Sequence, residues 1–234
     1  MSFEGNRIVV IIPALNEEKS ISKVVNSIPN IVDEIIVINN GSEDSTAIKA
    51  SISGAKVIHE NRKGYGYACL KGIDYLNKNP PDIVVFLDGD YSDYPEDLEA
   101  VIKPILEKNV QFVIGARVKS LREKGALTPQ QIFGNTLACL LMRLLYKANF
   151  TDLGPFRAIG WKNLVALEMS DKTYGWTIEM QLKVLRRKIK YTEVPVRYRK
   201  RIGYSKVSGT VKGTIMAGYK ILTWIGKFYF SKWK

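Results

Sequence analysis

Five short apolar runs punctuate the first half of the chain: RIVVII (7–12), EIIVI (34–38), AKVIHE (55–60), DIVVFL (82–87) and FVIGA (112–116). They are rich in Val and Ile and mostly continuous rather than alternating. That is the pattern of strands covered on both faces. Helical patterns fill the spaces between them, at 17–28, SEDSTAIKASIS (42–53), GYACLKGIDYLNK (66–78) and PEDLEAVIKPILEK (95–108). The alternation predicts βαβ units: an α/β fold with a Rossmann-like, mainly parallel sheet and helices on both faces. In open sheets of this kind, ligands bind beyond the carboxyl ends of the strands. The polar segments PALNEE, NNGSEDS, NRKGYG and DGDYSD, each following one of the first four strands, are therefore expected to meet along one sheet edge.

The second half has a different pattern. TPQQIFGNTLACLLMRLLYK (128–147) predicts a helix with Pro129 in its first turn. TDLGPFRAI (151–159) reads as a loop entering a short strand, and YGWTIEMQLKVLRRK (174–188) as a helix. KYTEVPVRYRKR (190–201) reads as an edge strand, because Pro195 cannot donate to a ladder. The tail from Thr210 to Lys234 is helical in pattern. At roughly 100° per residue, Lys212, Lys220, Lys227 and Lys234 fall within about an 80° arc, with Ile221, Leu222, Ile225, Phe228 and Tyr229 opposite. A basic amphipathic helix with Trp224 and Trp233 suits a membrane interface. A C-terminal helix packed on the domain with solvated lysines fits the same pattern.

Composition narrows the partners. The 234 residues are 46% apolar and 25% charged, which suits one globular domain with or without an appendage. A net charge of +12 calls for an anionic partner: nucleic acid, an anionic membrane surface or a phosphorylated substrate. The acids concentrate in the first half and the Lys and Arg residues in the last third. Cys69 and Cys139, the only cysteines, argue against a disulfide framework, rule out a zinc cluster by count and suit a reducing cytoplasm. Glu4 and Arg7 precede a very short apolar run, so no signal peptide is expected; nor, without 18 consecutive apolar residues, is a spanning helix.

The candidate chemistry centres on VVFLDGDYSDYPEDL (84–98). Asp88 and Asp90, one residue apart at the end of a buried strand, can share Mg²⁺ or Mn²⁺, which prefer oxygen ligands. Gly89 permits a sharp turn, and a plain solvated Asp-Gly turn is the alternative. Asp93 and Glu96 are assigned to the approach and start of the next helix, where an acid favours the dipole. In NRKGYG, Gly64 and Gly66 have the first spacing of a dinucleotide fingerprint, but Cys69 stands at the third glycine position. Glycines at a helix start still leave N–H groups for a phosphate. His59, the only histidine, has no partner for a metal site or a Ser/His/Asp arrangement and is expected to be structural or at the surface. Glu179, among apolar residues, is either a base or an orienting partner for an Arg. In RKRIGYSK (199–206), Arg201, Ser205 and Lys206 suit phosphate oxygens, or form a solvated basic loop; Arg117 and Arg157 are further phosphate candidates. A nucleic-acid-binding module would leave the acidic loop unexplained and lacks an aromatic-interleaved recognition motif, so no nucleic-acid partner is expected.

In order along nearly the whole chain, VVIIPALNEE, EIIVINNGSEDST, NRKGYGYA, FLDGDYSDYPEDL, GARV, FTDLGPFRAI, IEMQLKVLRRKIKYTEVPVRY and RIGYSK resemble a family-2 glycosyltransferase of the GT-A fold. More narrowly, they resemble polyprenyl-phosphate hexosyltransferases related to dolichol-phosphate mannose synthase. The resemblance implies that Pro13, Ala14, Asn16, Glu17, Asn39 and Gly64 line the nucleotide pocket, with Asn39 replacing an acid that normally contacts the base. Asp88 would contact ribose or metal, and Asp90 would be the principal metal ligand. Ser92 stands where some relatives carry a Gln ligand. Arg117, Arg201, Ser205 and Lys206 would hold donor diphosphate or acceptor phosphate. Residues 1–116 would form the nucleotide-sugar half, 117–209 the acceptor-side half of the same catalytic domain, and 210–234 a basic amphipathic helix. The implied reaction is inverting transfer of a hexose from a UDP-glucose- or GDP-mannose-type donor to a polyprenyl or dolichyl phosphate, using Mg²⁺ or Mn²⁺. A hydroxyl acceptor with Glu179 as base is the alternative. The implied location is peripheral, on the cytoplasmic membrane face, with a membrane-embedded partner or a homo-oligomer as companion.

Overall fold

Every residue of β1 (Ile8–Ala14) is buried, and the rest of the fold is laid out around it. The computed structural model describes residues 5–205 and 211–231, without the side chains of 211 and 212. β1 lies between β2 (Glu34–Asn39) and β4 (Ile83–Phe86), parallel to both, with Val10 in register with Ile35 and Val85. β3 (Lys56–His59) extends the sheet beyond β2, and β5 (Phe112–Ala116), β6 (Arg157–Gly160) and β7 (Tyr191–Pro195) extend it beyond β4. The order is β3-β2-β1-β4-β6-β5-β7. Among the strands of the described residues, only β6 is antiparallel to its neighbours. It inserts between β4 and β5, so strands of the second half complete the sheet begun by the first. β7 is an edge strand, as Pro195 predicts.

The uninterrupted apolar runs divide by alternation between two cores. Val9, Ile11, Ile36, Ile38, Val84 and Phe86 pack on one face with α3 (Tyr65–Leu76), α5 (Pro129–Tyr146), α6 (Trp161–Ala166), α7 (Trp176–Arg186) and α8 (Val211–Phe230). Ile8, Val10, Ile12, Val37, Val85 and Leu87 pack on the other with α1 (Ile21–Ser27), α2 (Thr46–Ile52) and α4 (Leu98–Leu106). Helix α5 begins on a capping box, with Thr128 and Gln131 bonding reciprocally and Pro129 in the first turn.

In helix α8, Ile225 and Phe228 are buried. Of the lysines whose side chains are described, Lys220 pairs with Asp171, and Lys227 is exposed and lies over the Trp224 ring. Ile215, Tyr219, Leu222 and Phe230 are exposed too, so the outward surface mixes apolar and basic side chains. Helix α5 beside it exposes Phe133, Leu140 and Leu144. The Lys212 side chain, Trp233 and Lys234 lie outside the described residues. No helix among the described residues is long and apolar enough to cross a membrane.

Candidate active site

The loops after β1 to β4 meet at one sheet edge and are stitched together by their own side chains. Asn16, with a left-handed φ of 52°, accepts a hydrogen bond from the Glu43 N–H and donates its backbone N–H to Ser42. The Glu17 N–H donates to Thr46 Oγ1. Pro13 and Ala14 are buried at the end of β1. Asn39 Oδ1 accepts from the Ser42 N–H, and its amide lies 3.2 Å from His59 Nδ1, which gives the lone histidine a structural partner. Asn40, not singled out in the sequence, donates to the carbonyls of Glu60 and Arg62 and accepts from the Gly64 N–H.

The Gly64 N–H is spent on Asn40 rather than presented to a phosphate. A Cβ on Gly64 would stand 2.3 Å from the Lys172 carbonyl oxygen, and one on Gly66 would stand 2.0 Å from that of Asp171. The glycines let α3 start in contact with the 170–175 loop.

The acidic loop lies at the end of β4. Tyr65 donates to Asp88 at 3.1 Å. Burial, and then the neighbouring Asp90 carboxylate, push the Asp88 carboxyl up to about 7. Asp90 is buried; its Oδ1 accepts from the Ser92 N–H and hydroxyl, while its Oδ2 lies 3.1 Å from Arg201. The same guanidinium reaches Glu17 at 3.0 Å. Asp93, assigned by sequence to the approach to a helix, is 1% exposed, and neither carboxylate oxygen has a hydrogen-bond partner among the described residues. Burial and the charges of Asp88 and Asp90 raise it well above the ordinary carboxylate range.

Facing this loop is the basic segment after β7, held by isolated bridges at Tyr198, whose arginines alternate with the period of extended chain. Arg197 makes a two-point contact with Asp97, at 2.9 and 2.5 Å. Arg199 lies over Tyr91 and Tyr94, 3.5 and 3.8 Å from the ring centroids. Arg201 takes Asp90 and Glu17. The backbone follows the acidic loop, with Arg199 N–H on the Ser92 carbonyl and Ile202 N–H on that of Asp90. Ser205 is half-buried near the end of this segment, and Lys206 lies outside the described residues.

Three other predicted residues are engaged elsewhere. Arg117 makes a bidentate pair with Asp152, at 2.8 and 2.7 Å. Burial opposes ionisation of Asp152, but Arg117 outweighs it and holds the carboxyl below its usual range. Asp152 was not singled out in the sequence; the pair spans 35 positions. Arg157 is fully buried and donates to the carbonyls of Leu153, Gly154 and Thr177, which corrects its candidacy for phosphate. Glu179 is fully buried too. Its Oε1 accepts from the Ser170 N–H and hydroxyl and pairs with Lys183, and its Oε2 accepts from the Asp171 N–H. With these partners the carboxylate holds the loop before α7 in place.

Asp88 and Asp90 supply the hard oxygen donors that Mg²⁺ and Mn²⁺ accept. No group of three Asp, Glu, His or Cys side chains among the described residues is placed to share an ion. That donor set fits a cation whose shell is completed by substrate oxygens rather than by a protein cage.

Comparison with known proteins gives the family and the fold. The profile of the family described as Glycosyl transferase family 2 matches residues 9–204. The chain is 31% identical over 238 residues to the UDP-N-acetylglucosamine–dolichyl-phosphate N-acetylglucosaminyltransferase of Methanococcus voltae, covering 92% of each. It is 27% identical over 221 residues to the undecaprenyl-phosphate mannosyltransferase of Micrococcus luteus, covering 88% of this chain and 90% of that one. Among solved structures, glucosyl-3-phosphoglycerate synthase from Mycobacterium tuberculosis, in complex with Mn²⁺, UDP and phosphoglyceric acid, superimposes with a TM-score of 0.77. It is 24% identical, and the match covers 97% of this chain and 80% of that one. The fold is that of the GT-A glycosyltransferases.

Proposed function

The chain belongs to glycosyl transferase family 2, and on that premise we propose that it is an inverting, metal-dependent hexosyltransferase. It moves a sugar from a UDP- or GDP-sugar to a polyprenyl phosphate at the membrane surface. The observation that carries this reading is the sheet edge itself, where Asp90, two residues from Asp88, and Glu17 both pair with Arg201. Residues 1–116 supply the nucleotide-sugar side, including Pro13, Ala14, Asn16, Glu17 and Asn39, and residues 117–209 the acceptor side. The names of the Methanococcus and Micrococcus relatives, both acting on polyprenyl phosphates, support the acceptor class.

The departing nucleoside diphosphate accumulates negative charge. Arg201 is within reach of that position, and fixed cations aimed at developing charge are the main means of stabilising such a departure. Asp88 and Asp90 would hold Mg²⁺ or Mn²⁺, which supplies charge neutralisation at the diphosphate. A phosphate acceptor is anionic at neutral pH and needs no strong base. A hydroxyl acceptor needs one, and Glu179, the carboxylate considered for that role, is saturated by Ser170, Asp171 and Lys183. This favours phosphate over hydroxyl. The exposed apolar residues of α5 and α8, on a chain of net charge +12, support peripheral attachment to an anionic bilayer.

The test is transfer of radiolabel from UDP-glucose, UDP-N-acetylglucosamine and GDP-mannose, with Mn²⁺, to a short-chain polyprenyl phosphate or to a lipid alcohol. Labelled polyprenyl-phosphate sugar is expected from one donor. Labelling of the alcohol alone would replace the phosphate reading with the hydroxyl one.

A further inference from the structure

Arg201 occupies an unusual position for a residue that is to bind a diphosphate. It bridges Glu17 Oε1 at 3.0 Å and Asp90 Oδ2 at 3.1 Å, joining the ends of two adjacent parallel strands. The arginine side chain is 27% exposed, whereas the two carboxylates are 9% and 7% exposed. Two buried anions brought this close require a cation between them. Asp90 has little capacity elsewhere, because its Oδ1 already takes both donors of Ser92. The Arg201 Nε is itself buried with no partner among the described residues, so the guanidinium retains an unused donor.

We propose that Arg201 is the internal counter-cation of the Glu17–Asp90 pair, and that it yields Asp90 to a divalent ion only when a nucleotide diphosphate arrives to receive the guanidinium. The site then selects the metal–nucleotide complex over the free metal. This rests on the metal and nucleotide roles given above for Asp90 and its loop. The physical reason is the cost of the exchange. A divalent ion at Asp90 Oδ2 stands beside a guanidinium of like charge, so Arg201 must rotate away. The backbone cannot carry it far, because the Ile202 N–H is fixed to the Asp90 carbonyl at 3.0 Å. The motion is therefore one of the side chain. Without an anion to meet it, the displaced guanidinium loses its contact with Asp90 and gains only water. With a diphosphate present it gains paired, charge-assisted acceptors that match its fork. One residue thus serves as competitor of the metal and ligand of the nucleotide, which couples the two binding events positively.

The coupling can be read without turnover. Mn²⁺ binding is measured by the electron paramagnetic resonance signal of the free ion, with and without UDP or GDP, on the wild type and on Arg201→Gln. In the wild type the preferred nucleotide is expected to raise Mn²⁺ affinity roughly 5- to 150-fold, the usual range of such coupling. In Arg201→Gln, Mn²⁺ alone is expected to bind more tightly than to the wild type, and the nucleotide enhancement is expected to shrink towards unity. Arg201→Lys keeps the charge without the fork and is expected to fall between the two. Circular dichroism establishes that each variant is folded, and either variant alone suffices for the ranking against the wild type. The inference is overturned if the folded variants bind Mn²⁺ alone no more tightly than the wild type, or if the nucleotide enhancement is undiminished. Failure of the wild type to bind Mn²⁺ with either nucleotide overturns the metal site itself, and this inference with it.

Discussion

In the loop after β4, Asp93 is buried and neither of its carboxylate oxygens has a hydrogen-bond partner among the described residues. Asp171 in the loop before α7 and Glu179 in the first turn of α7 are equally buried, yet all four of their oxygens are occupied. Glu179 takes Ser170, Asp171 and Lys183; Asp171 takes the Thr173 and Gly175 N–H groups, Trp224 Nε1 and Lys220. Burial alone therefore does not mark a functional acid. The saturated carboxylates here tie α7 to α8. Asp93, by contrast, keeps acceptor capacity that no described group uses.

The largest effect that sharpens this contrast is on stability. Glu179→Ala leaves the Ser170 and Asp171 N–H groups and Lys183 without their acceptor. The expected cost is about 3–5 kcal/mol, typical of breaking a buried ion pair from one side. Urea denaturation measures it. A variant of wild-type stability but without activity would break the contrast and return Glu179 to the chemistry. Next comes the opposite outcome in the acidic loop. Asp90→Asn is expected to lower kcat/KM for the donor by about 10²–10³-fold, the loss typical of removing one electrostatic stabiliser of the transition state. Its Tm should be unchanged or raised, because a charge leaves a crowded acidic cluster. Full activity in steady-state assays of nucleoside diphosphate release would remove Asp90 from the site.

Which parts of this were legible in the chain follows from the range of the interactions involved. Strands β1 to β5 announce themselves as apolar runs, and their polar successors locate the sheet edge. The insertion of β6 between β4 and β5 is set by pairing between distant segments, Phe86 with Arg157 among them, and no local pattern records it. Asp88 and Asp90 are readable because each follows closely on a buried strand. Asp93 is not, because an acid before Tyr-Pro-Glu looks the same whether it approaches a helix or turns into the interior. The partners that decide the remaining roles are far away in sequence. Arg201 meets Glu17 across 184 positions, Arg117 meets Asp152 across 35, and the glycines of the third loop are explained only by the carbonyls of Asp171 and Lys172. Residue type suggested a charge at each place; only the fold says whether that charge is already spent.

The smallest effect is a difference of sign with pH, and it tests the contrast most directly. Asp171 is opposed by burial, but the hydrogen bonds from Trp224, Thr173, Lys220 and Gly175 outweigh it and hold the carboxyl below its ordinary value. Its folded value lies under the unfolded value of about 3.9. The unfolded chain therefore binds more protons between the two, and this stabilisation is present above about pH 4 and lost as pH falls through the folded value. Asp93 is raised, first by burial and then by Asp88 and Asp90. Here the folded protein binds the extra proton, so stability declines as pH rises from about 4 through the raised value. Each carboxyl contributes a slope of at most about 1.4 kcal/mol per pH unit inside its own window. Urea midpoints in EDTA, taken from pH 3 to 8, separate the two. Asp171→Asn is expected to flatten the acid limb and leave the neutral limb alone. Asp93→Asn is expected to do the reverse and to raise stability at neutral pH. Were both substitutions to flatten the same limb, the saturated and unsaturated loops would be electrostatically equivalent, and the distinction between scaffold and site drawn from their hydrogen bonds would fail.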